Sequence, residues 1–394
     1  MLNEKQLEAS KTNSPFVFLN ASAGSGKTSV IVDRVNRLLD ENINVDEILL
    51  ITFTRKAANE MKTRIKNKLI NVYTFHSFCL NRLKKLTNYD YNILDKSILP
   101  HYEALLVSNY KNSFYKTNKP NNYDKYMKYL KENKLKDFDD LLIDYLNIDE
   151  TKEFLHIFID EFQDTNYLQY KIIKKLTSNK SNIFAVGDIA QSIYKFRGAD
   201  YKIIYKYIKE YKAKIYRLNI NYRSTKNIID LANKIKITNK NEMLTINEDM
   251  GEINYFIFQT YEEEAKYIYN KIIENKNKSI GVLFRNHKRT FYLKKYLNIK
   301  DSYIINLKND IKLYTIHEAK GLEFDLVILV GLEQNELPLI NASLAEEKRL
   351  FYVAITRARK NLLITQVKYN ENKDKTTASV FLKEIKLKHK VIEE

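Results

Sequence analysis

Residues Phe16 to Thr28 read F-V-F-L-N-A-S-A-G-S-G-K-T. An apolar run gives way to a small, glycine-bearing loop, then a lysine and a threonine. The run predicts a buried strand. Beyond it, Val30, Ile31, Val35, Leu38 and Leu39 recur at helical spacing. Strand, tight loop and helix in that order form a cradle for phosphate. Backbone N–H groups of Ala23 to Lys27 can converge on an anion, and the helix N-terminus adds its partial positive charge. Lys27 would reach the β- and γ-phosphates, and the Thr28 hydroxyl would ligate Mg²⁺. The loop Ala21, Ser22, Ala23, Gly24, Ser25, Gly26 fits the relaxed pattern, with Ala21 where the strict one has Gly. The plain alternative is a glycine-rich turn that binds nothing. The strand before it and the helix after it argue against that.

The chain has 394 residues, room for roughly two or three domains. A hydrophobic content of 44% suits large packed cores, and no apolar run approaches the ~20 residues of a membrane span. The N-terminus, M-L-N-E-K-Q-L-E-A, has no apolar segment of the secretory kind. Cys79 is the single cysteine, which excludes an internal disulfide and fits a reducing, cytoplasmic setting. The formal net charge of +17 suits a polyanionic partner. Heavy use of Lys, Asn, Ile and Tyr explains the same surplus by composition, so nucleic-acid binding has to rest on particular residues.

With 8 Gly and 4 Pro, no flexible linker announces a boundary. Short apolar runs alternate with helical patterns: 16–19, 48–53, 157–159, 183–186, 215–218, 255–258, 280–284, 313–316, 326–330 and 362–365. Such alternation predicts parallel sheets covered by helices. Ten strands are many for one sheet, so two α/β domains in tandem are expected. Residues 80–135, rich in Tyr, Asn and Lys, read as a helical insertion. The expected division is 1–79 with 136–212, the insertion 80–135, and 213–394. The charged stretch 383–394 reads as a fraying helix.

A second signal is Ile157-Phe158-Ile159-Asp160-Glu161-Phe162-Gln163-Asp164, an apolar strand ending in two acids. Beside a phosphate loop, Asp160 would hold Mg²⁺ and Glu161 would act as general base on the attacking water. An acidic turn without function is the alternative. A third stretch, Ile183 to Gly198, is another strand and loop, carrying Gln191, Tyr194, Phe196 and Arg197. Gln191 can touch both the γ-phosphate and the water. Aromatics beside a cation suit base stacking with phosphate contact, although ordinary packing uses them too. Arg223, in N-Y-R-S, and Arg357, in A-I-T-R-A within an amphipathic segment, suit charge neutralisation on a transferring phosphoryl group. Either alone defaults to a surface salt bridge.

In order, these motifs resemble the UvrD/Rep group of superfamily 1 helicases over nearly the whole chain. The resemblance implies two RecA-like domains with ATP and Mg²⁺ in the cleft between them, and movement 3′→5′ on single-stranded DNA or 3′-tailed duplex DNA. It makes Gln6, in L-N-E-K-Q, the reader of adenine and Tyr222 the ring stacked on it. Arg223 becomes a γ-phosphate ligand, Glu323 a ribose contact and Arg357 the arginine finger. I-T-F-T-R-K-A-A-N-E-M, at 51–61, is similar to a DNA-contacting motif that includes Phe53. There Thr54 can cap a helix with apolar face Ala57, Met61, Ile65 and Leu69. Thr74 and His76 lie in the next such motif, T-F-H-S-F-C, and K-D-F-D-D-L-L at 136–142 resembles the return from the inserted subdomain. His317 and Lys320, in T-I-H-E-A-K-G-L-E-F, would lie toward DNA.

The departures are specific. Arg223 and His317 are only 94 positions apart, too close for the second accessory subdomain that the family usually carries there. The first insertion is short, and neither an extension after Arg357's motif nor a nuclease domain is evident. A nearly bare two-domain motor is therefore expected. It would act alone or beside a repair or replication protein, in the cytoplasm at the nucleoid, with no membrane partner. The related RecB/AddA branch suits some motifs equally, so a motor subunit of a recombination complex stays open. So does a DNA-bound, nucleotide-gated scaffold that does not unwind.

Overall fold

A computed structural model describes residues 2–87, 92–94, 97–150, 153–238, 240–296 and 311–390. The chain divides into two compact units, Met1–Ala21 with Gly26–Leu218, and Ser22–Ser25 with Asn219–Glu394.

The first unit is built on six strands: β1 (Phe16–Ala21), β2 (Ile48–Thr52), β3 (Asn71–Thr74), β4 (His156–Ile159), β5 (Asn182–Gly187) and β6 (Lys214–Leu218). They form one sheet in the order β3-β2-β4-β5-β1-β6, with every pairing parallel. Side chains alternate faces along each strand. Phe18, Leu49, Ile51, Ile157, Ile159, Ile183 and Ala185 enter the core on one side. Val17, Leu19, Ile48, Leu50, Phe158, Phe184 and Val186 enter the core on the other. A parallel sheet buried on both faces needs near-continuous apolar strands, which these are.

Helices α1 (Glu4–Lys11), α2 (Lys27–Asp40) and α3 (Arg55–Arg64) supply Ala9, Val30, Ile31, Val35, Ala58 and Met61 to the second face. The first face is covered by α4 (Phe75–Leu86), and, further along the chain past α5 (His101–Asn112) and α6 (Tyr123–Glu132), by α7 (Phe138–Asn147), α8 (Tyr167–Leu176) and α9 (Lys202–Tyr211). Between α4 and α7, the helices α5 and α6 make a small core of their own around Val107, Tyr126 and Leu130.

In the second unit, α10 (Lys226–Lys234) lies between two short strands, β7 (Ile220–Asn221) and β8 (Leu244–Thr245). A five-stranded sheet then follows from β9 (Ile253–Phe258), β10 (Ile280–Phe284), β11 (Ile311–Thr315), β12 (Phe324–Leu329) and β13 (Ala358–Val367). Its order is β11-β10-β12-β13-β9, again all parallel. The helices are α11 (Tyr261–Glu274), α12 (Phe291–Tyr296), α13 (Leu344–Ile355) and α14 (Val380–Ile385). Two tandem parallel α/β units are thus the architecture that the alternating apolar runs predict.

The structure corrects several expectations. Residues 214–218 are not the start of the second domain, because β6 pairs along β1 from Val17↔Lys214 to Ala21↔Leu218. The first unit therefore ends at Leu218 rather than at 212. The insertion does not begin at 80, because α4 runs unbroken to Leu86 and buries Leu83 in the main core. β3 has only four residues, and its short N-V-Y-T run gave no apolar signal. α3 stops at Arg64, so Leu69 is 79% exposed, and the buried helix face is Ala58 with Met61. The segment leading to Arg357 is not amphipathic at its end, since Leu350 to Ile355 are all buried. At the far end α14 stops at Ile385, where Lys386 turns left-handed at φ 54°; residues 391–394 of the expected fraying helix lie outside the described residues. Cys79 is buried with no disulfide. Among the described residues, no helix is long and apolar enough to cross a membrane.

The insertion is fastened by charge. Lys111 of α5 is fully buried and pairs with Asp137 and Asp140, each at 2.7 Å. Beside it, Asn112 Nδ2 donates to Asp139 Oδ1 at 3.0 Å. Burial, and then the Asp137 charge, push the Asp139 carboxyl up to about 7. Its folded value thus lies above the unfolded one of about 4, so the folded state holds a proton that the unfolded chain has released. Stability must fall as pH rises from about 4 to about 7. Asp139→Asn is expected to remove that slope and to raise the melting temperature at pH 8 but not at pH 4. Thermal melts at the two pH values check this.

Candidate nucleotide site and strand-binding face

All strands of the first sheet are parallel, so their carboxyl ends share one edge, where ligands of such sheets bind. β1 delivers the Ala21–Thr28 loop to that edge, β4 delivers Asp160 and Glu161, and β5 delivers Asp188 and Gln191. β2 and β3 deliver Phe53, Thr54, Thr74 and His76 to the same edge.

The loop uses its glycines where geometry demands them. Gly24 and Gly26 sit at φ +66° and +79°, in the left-handed region. A Cβ on Gly26 would stand 2.7 Å from Gln6 Nε2. Gly26 is the N-cap of α2 and offers no side-chain cap, so the first N–H groups of this 14-residue helix remain for an anion. Within the loop, Ser25 Oγ donates to Ser22 O at 2.7 Å. Among the described residues, Lys27 Nζ and Ser22 Oγ are buried without a hydrogen-bond partner. A buried ammonium with no partner fits a polyphosphate that would supply the missing charge.

Gln6 is buried at 5% exposure. Its side-chain oxygen accepts Asn3 N–H at 2.8 Å, while Asn3 Oδ1 accepts Gln6 N–H, a reciprocal capping box on α1. One lone pair of the amide proposed to read adenine is therefore committed to the backbone. The N-x-x-Q spacing carried that signal.

Asp160 follows β4 directly, its N–H donating to Ile51 O at 2.9 Å, and is 9% exposed. Thr28, the second residue of α2, and Asp160 offer one hydroxyl and one carboxylate, hard oxygen donors that suit Mg²⁺ with phosphate and water completing its shell. Glu161 adopts φ +53°, ψ 42°. Gln163 Nε2 donates to its carboxylate, and Gln163 Oε1 accepts Asp188 N–H at 2.9 Å. Asp188 Oδ2 in turn accepts Gln191 Nε2 at 2.7 Å. The two motifs read separately from the sequence are thus one buried hydrogen-bonded chain, joined through Gln163 and Asp188, which sequence reasoning passed over. Among the other polar residues of these two loops, nothing in the sequence sets them apart.

The aromatic candidates also converge. Phe53 stacks on Tyr194 with ring centroids 4.7 Å apart and 22° between planes. Arg197 lies 5.6 Å from the Tyr194 ring and 5.5 Å from that of Phe196. A cavity of about 380 Å³ opens beside them, lined by Phe53, His76, Asn112, Phe138, Tyr194 and Arg197 among others. Tyr194 is only 9% exposed, so its stacking partner in this state is Phe53. Burial lowers the His76 pKa to about 4, so the ring is neutral at pH 7 and cannot offer a phosphate a charge. Thr54 Oγ1 caps α3 by accepting Ala57 N–H at 3.1 Å, and Thr74 caps α4 in a reciprocal box with Ser77. Both threonines thus mark helix N-termini on this edge.

In the second unit, Asn221 Oδ1 accepts the N–H groups of Arg223 and Ser224, each at 2.8 Å, which shapes the Tyr222–Arg223 turn. Asn221 Nδ2 donates to Ala23 O at 2.8 Å, within the same unit. Tyr222 is 44% exposed. Arg223 Nε lies 2.5 Å from Glu323, and Arg223 Nη1 donates to Thr356 O at 3.3 Å. Arg359 also pairs with Glu323. Burial works to raise the Glu323 pKa, but the two arginines outweigh it and hold the carboxyl below its ordinary value. The residue expected at ribose is therefore ion-paired here. Arg357 is 1% exposed and donates to Val353 O and Leu322 O at 3.1 Å and to Thr356 Oγ1 at 3.2 Å. Arg359 was not anticipated, since a second basic residue beside a motif reads as surface charge. His317 and Lys320 occupy the turn that follows β11, where Lys320 N–H donates to His317 O.

Family comparisons agree with this arrangement. The model described as UvrD/REP helicase N-terminal domain matches residues 2–103 and 87–212, and the UvrD-like helicase C-terminal domain matches 216–305 and 299–369. The chain is similar to the ATP-dependent DNA helicase PcrA of Staphylococcus epidermidis, 31% identical over 384 residues, covering 82% of this chain and 52% of that protein. The Staphylococcus aureus PcrA shows the same identity over 385 residues, with the same coverage. The chain spans about half the length of the curated relatives it matches. With both halves matched in order and the motif residues gathered on shared strand ends, the chain belongs to the UvrD/Rep helicase family.

Proposed function

We propose that the protein is an ATP-driven DNA translocase and helicase, moving 3′→5′ on single-stranded DNA. The observation that carries this reading is the shared sheet edge. It holds a buried, unpartnered Lys27 ammonium, the Glu161–Gln191 chain and the Phe53–Tyr194 stack. The names of the relatives support it.

In this reading, Gln6 and Tyr222 hold adenine. The loop amides of Ala21 to Thr28 and the Lys27 ammonium take the phosphates. Thr28 and Asp160 would hold Mg²⁺, which when bound neutralises charge on the phosphate oxygens. Glu161 takes the proton of the attacking water as the water's oxygen bonds to the γ-phosphorus and the bond to the ADP oxygen breaks. Gln191 orients that water, and Arg223 and Arg357 stabilise charge on the transferring group. Arg223 must first exchange Glu323 for phosphate, which leaves Glu323 paired with Arg359 and available to the ribose. The strand crosses Phe53, Tyr194, Phe196 and Arg197, with Thr54, Thr74, His317 and Lys320 toward its backbone and His76 as a neutral donor. Work at the nucleoid, in the cytoplasm, beside a repair or replication protein follows from such a substrate.

Steady-state ATP hydrolysis with and without single-stranded DNA tests the reading, and displacement of 3′- and 5′-tailed duplexes tests polarity. Hydrolysis indifferent to DNA would overturn it. Tyr194→Ala removes one face of the stack, and an aromatic platform is worth about 1–3 kcal/mol per base. The expected result is a loss of about tenfold or more in single-strand affinity, read by fluorescence anisotropy, with hydrolysis in the absence of DNA retained.

A further inference from the structure

Gln163 lies wholly buried between the loops that carry Glu161 and Gln191. Its amide has a fixed orientation. The side-chain oxygen accepts Asp188 N–H at 2.9 Å, so the NH₂ group must face the other way, and there it donates to the Glu161 carboxylate. The Gln163 backbone carbonyl also accepts Ser192 Oγ at 3.1 Å. Asp188 accepts Ala190 N–H on one oxygen and Gln191 Nε2 on the other, at 3.0 and 2.7 Å. The fit is close. A Cβ on Gly187 would stand 2.7 Å from Gln163 Oε1, so glycine is what lets the amide lie against the end of β5. Glu161 itself holds a left-handed backbone, which a residue with a side chain keeps only when its surroundings enforce it.

We propose that Gln163 is the positioning residue for Glu161, holding its carboxylate aimed at one place. The same amide ties Glu161 through Asp188 to Gln191, so that displacement of Gln191 by a phosphate is passed to the base along a buried chain. The proposal rests on the reading of Glu161 as general base.

Gln163→Glu is the decisive variant. It keeps the volume and the acceptor for Asp188 N–H, but replaces the donor facing Glu161 with a second carboxylate. The second carboxylate repels that of Glu161 and turns it from the place the amide sets. At pH 7, kcat should fall about 10- to 100-fold with KM for ATP within about twofold of wild type. An unchanged kcat, or a KM that rises in step with the loss, overturns the proposal. Should Gln163→Glu not fold, Gln163→Met keeps the length and removes both hydrogen bonds. There kcat should fall at unchanged KM, and an unchanged kcat overturns the proposal. Glu161→Gln separates the two levels. If it hydrolyses ATP at the wild-type rate, the general-base reading fails. If it is inactive while Gln163→Glu keeps the wild-type kcat, only the role of Gln163 fails.

Discussion

Lys27→Ala is expected to abolish DNA-stimulated ATP hydrolysis while leaving the fold intact. Removing one charged contact to a transferring phosphoryl group costs about 10²–10³ in rate, and Lys27 is the cation seated at the loop itself. Its Nζ is buried with no hydrogen-bond partner, an arrangement that destabilises the ligand-free protein. The substitution should therefore leave the melting temperature unchanged or raised, in contrast to the usual buried truncation. ATP should raise the melting temperature of the wild type and not that of the variant. Single-strand binding at low salt should survive, since Phe53, Tyr194 and Arg197 reach the sheet edge from other strands. Retained hydrolysis would remove the phosphate-loop assignment.

The largest effect on stability is expected from Lys111→Ala. Lys111 is fully buried, and desolvation alone would lower its pKa, but Asp137 and Asp140 together raise it. Removing the ammonium strands two carboxylates beside Asp139 in a poorly solvated space. Breaking a buried pair this way costs about 3–5 kcal/mol. Proton uptake by Asp140, whose carboxyl burial and the neighbouring Asp137 charge already push up, relieves the loss, so the deficit should shrink as pH falls from 8 to 5. Denaturant melts at the two pH values measure it, and a deficit independent of pH would contradict the account. A functional consequence follows from position. α5 also carries Asn109, whose Nδ2 donates to Phe196 O at 3.1 Å, and Asn112, which accepts Asn166 Nδ2 at 2.8 Å. Loosening α5 should therefore weaken DNA stimulation more than hydrolysis without DNA.

Much of the architecture was legible in the chain because parallel strands buried on both faces must be apolar along their length. The ten predicted strands all appear, with bounds shifted by a few residues at most at the apolar ends. β13 extends furthest beyond expectation, because Arg359 and Lys360 open it and charged residues give no apolar signal. β6 was recognised as a strand and assigned to the wrong domain. A strand's own sequence does not say which neighbour it pairs with, and β6 returns to β1 after the chain has laid down the four other strands of the sheet. Leu69 misled for a related reason: the helical period persists in the sequence beyond Arg64, where the backbone leaves the helix.

The candidate site divides along the same line. The sequence by itself determined the residue types and their order: a glycine-bearing loop with Lys27, two acids after a strand, an amide after the next, and arginines further on. Those assignments depend on local spacing, which the chain displays directly. Only the tertiary structure decided that Gln163 and Asp188 join Glu161 to Gln191, that Phe53 finds Tyr194, and that Glu323 holds both Arg223 and Arg359. The links from Gln163 to Asp188, from Phe53 to Tyr194, and from Glu323 to Arg223 and Arg359 join strand ends or turns far apart in sequence. Their pairing is fixed by sheet order and burial, which no short stretch of residues encodes.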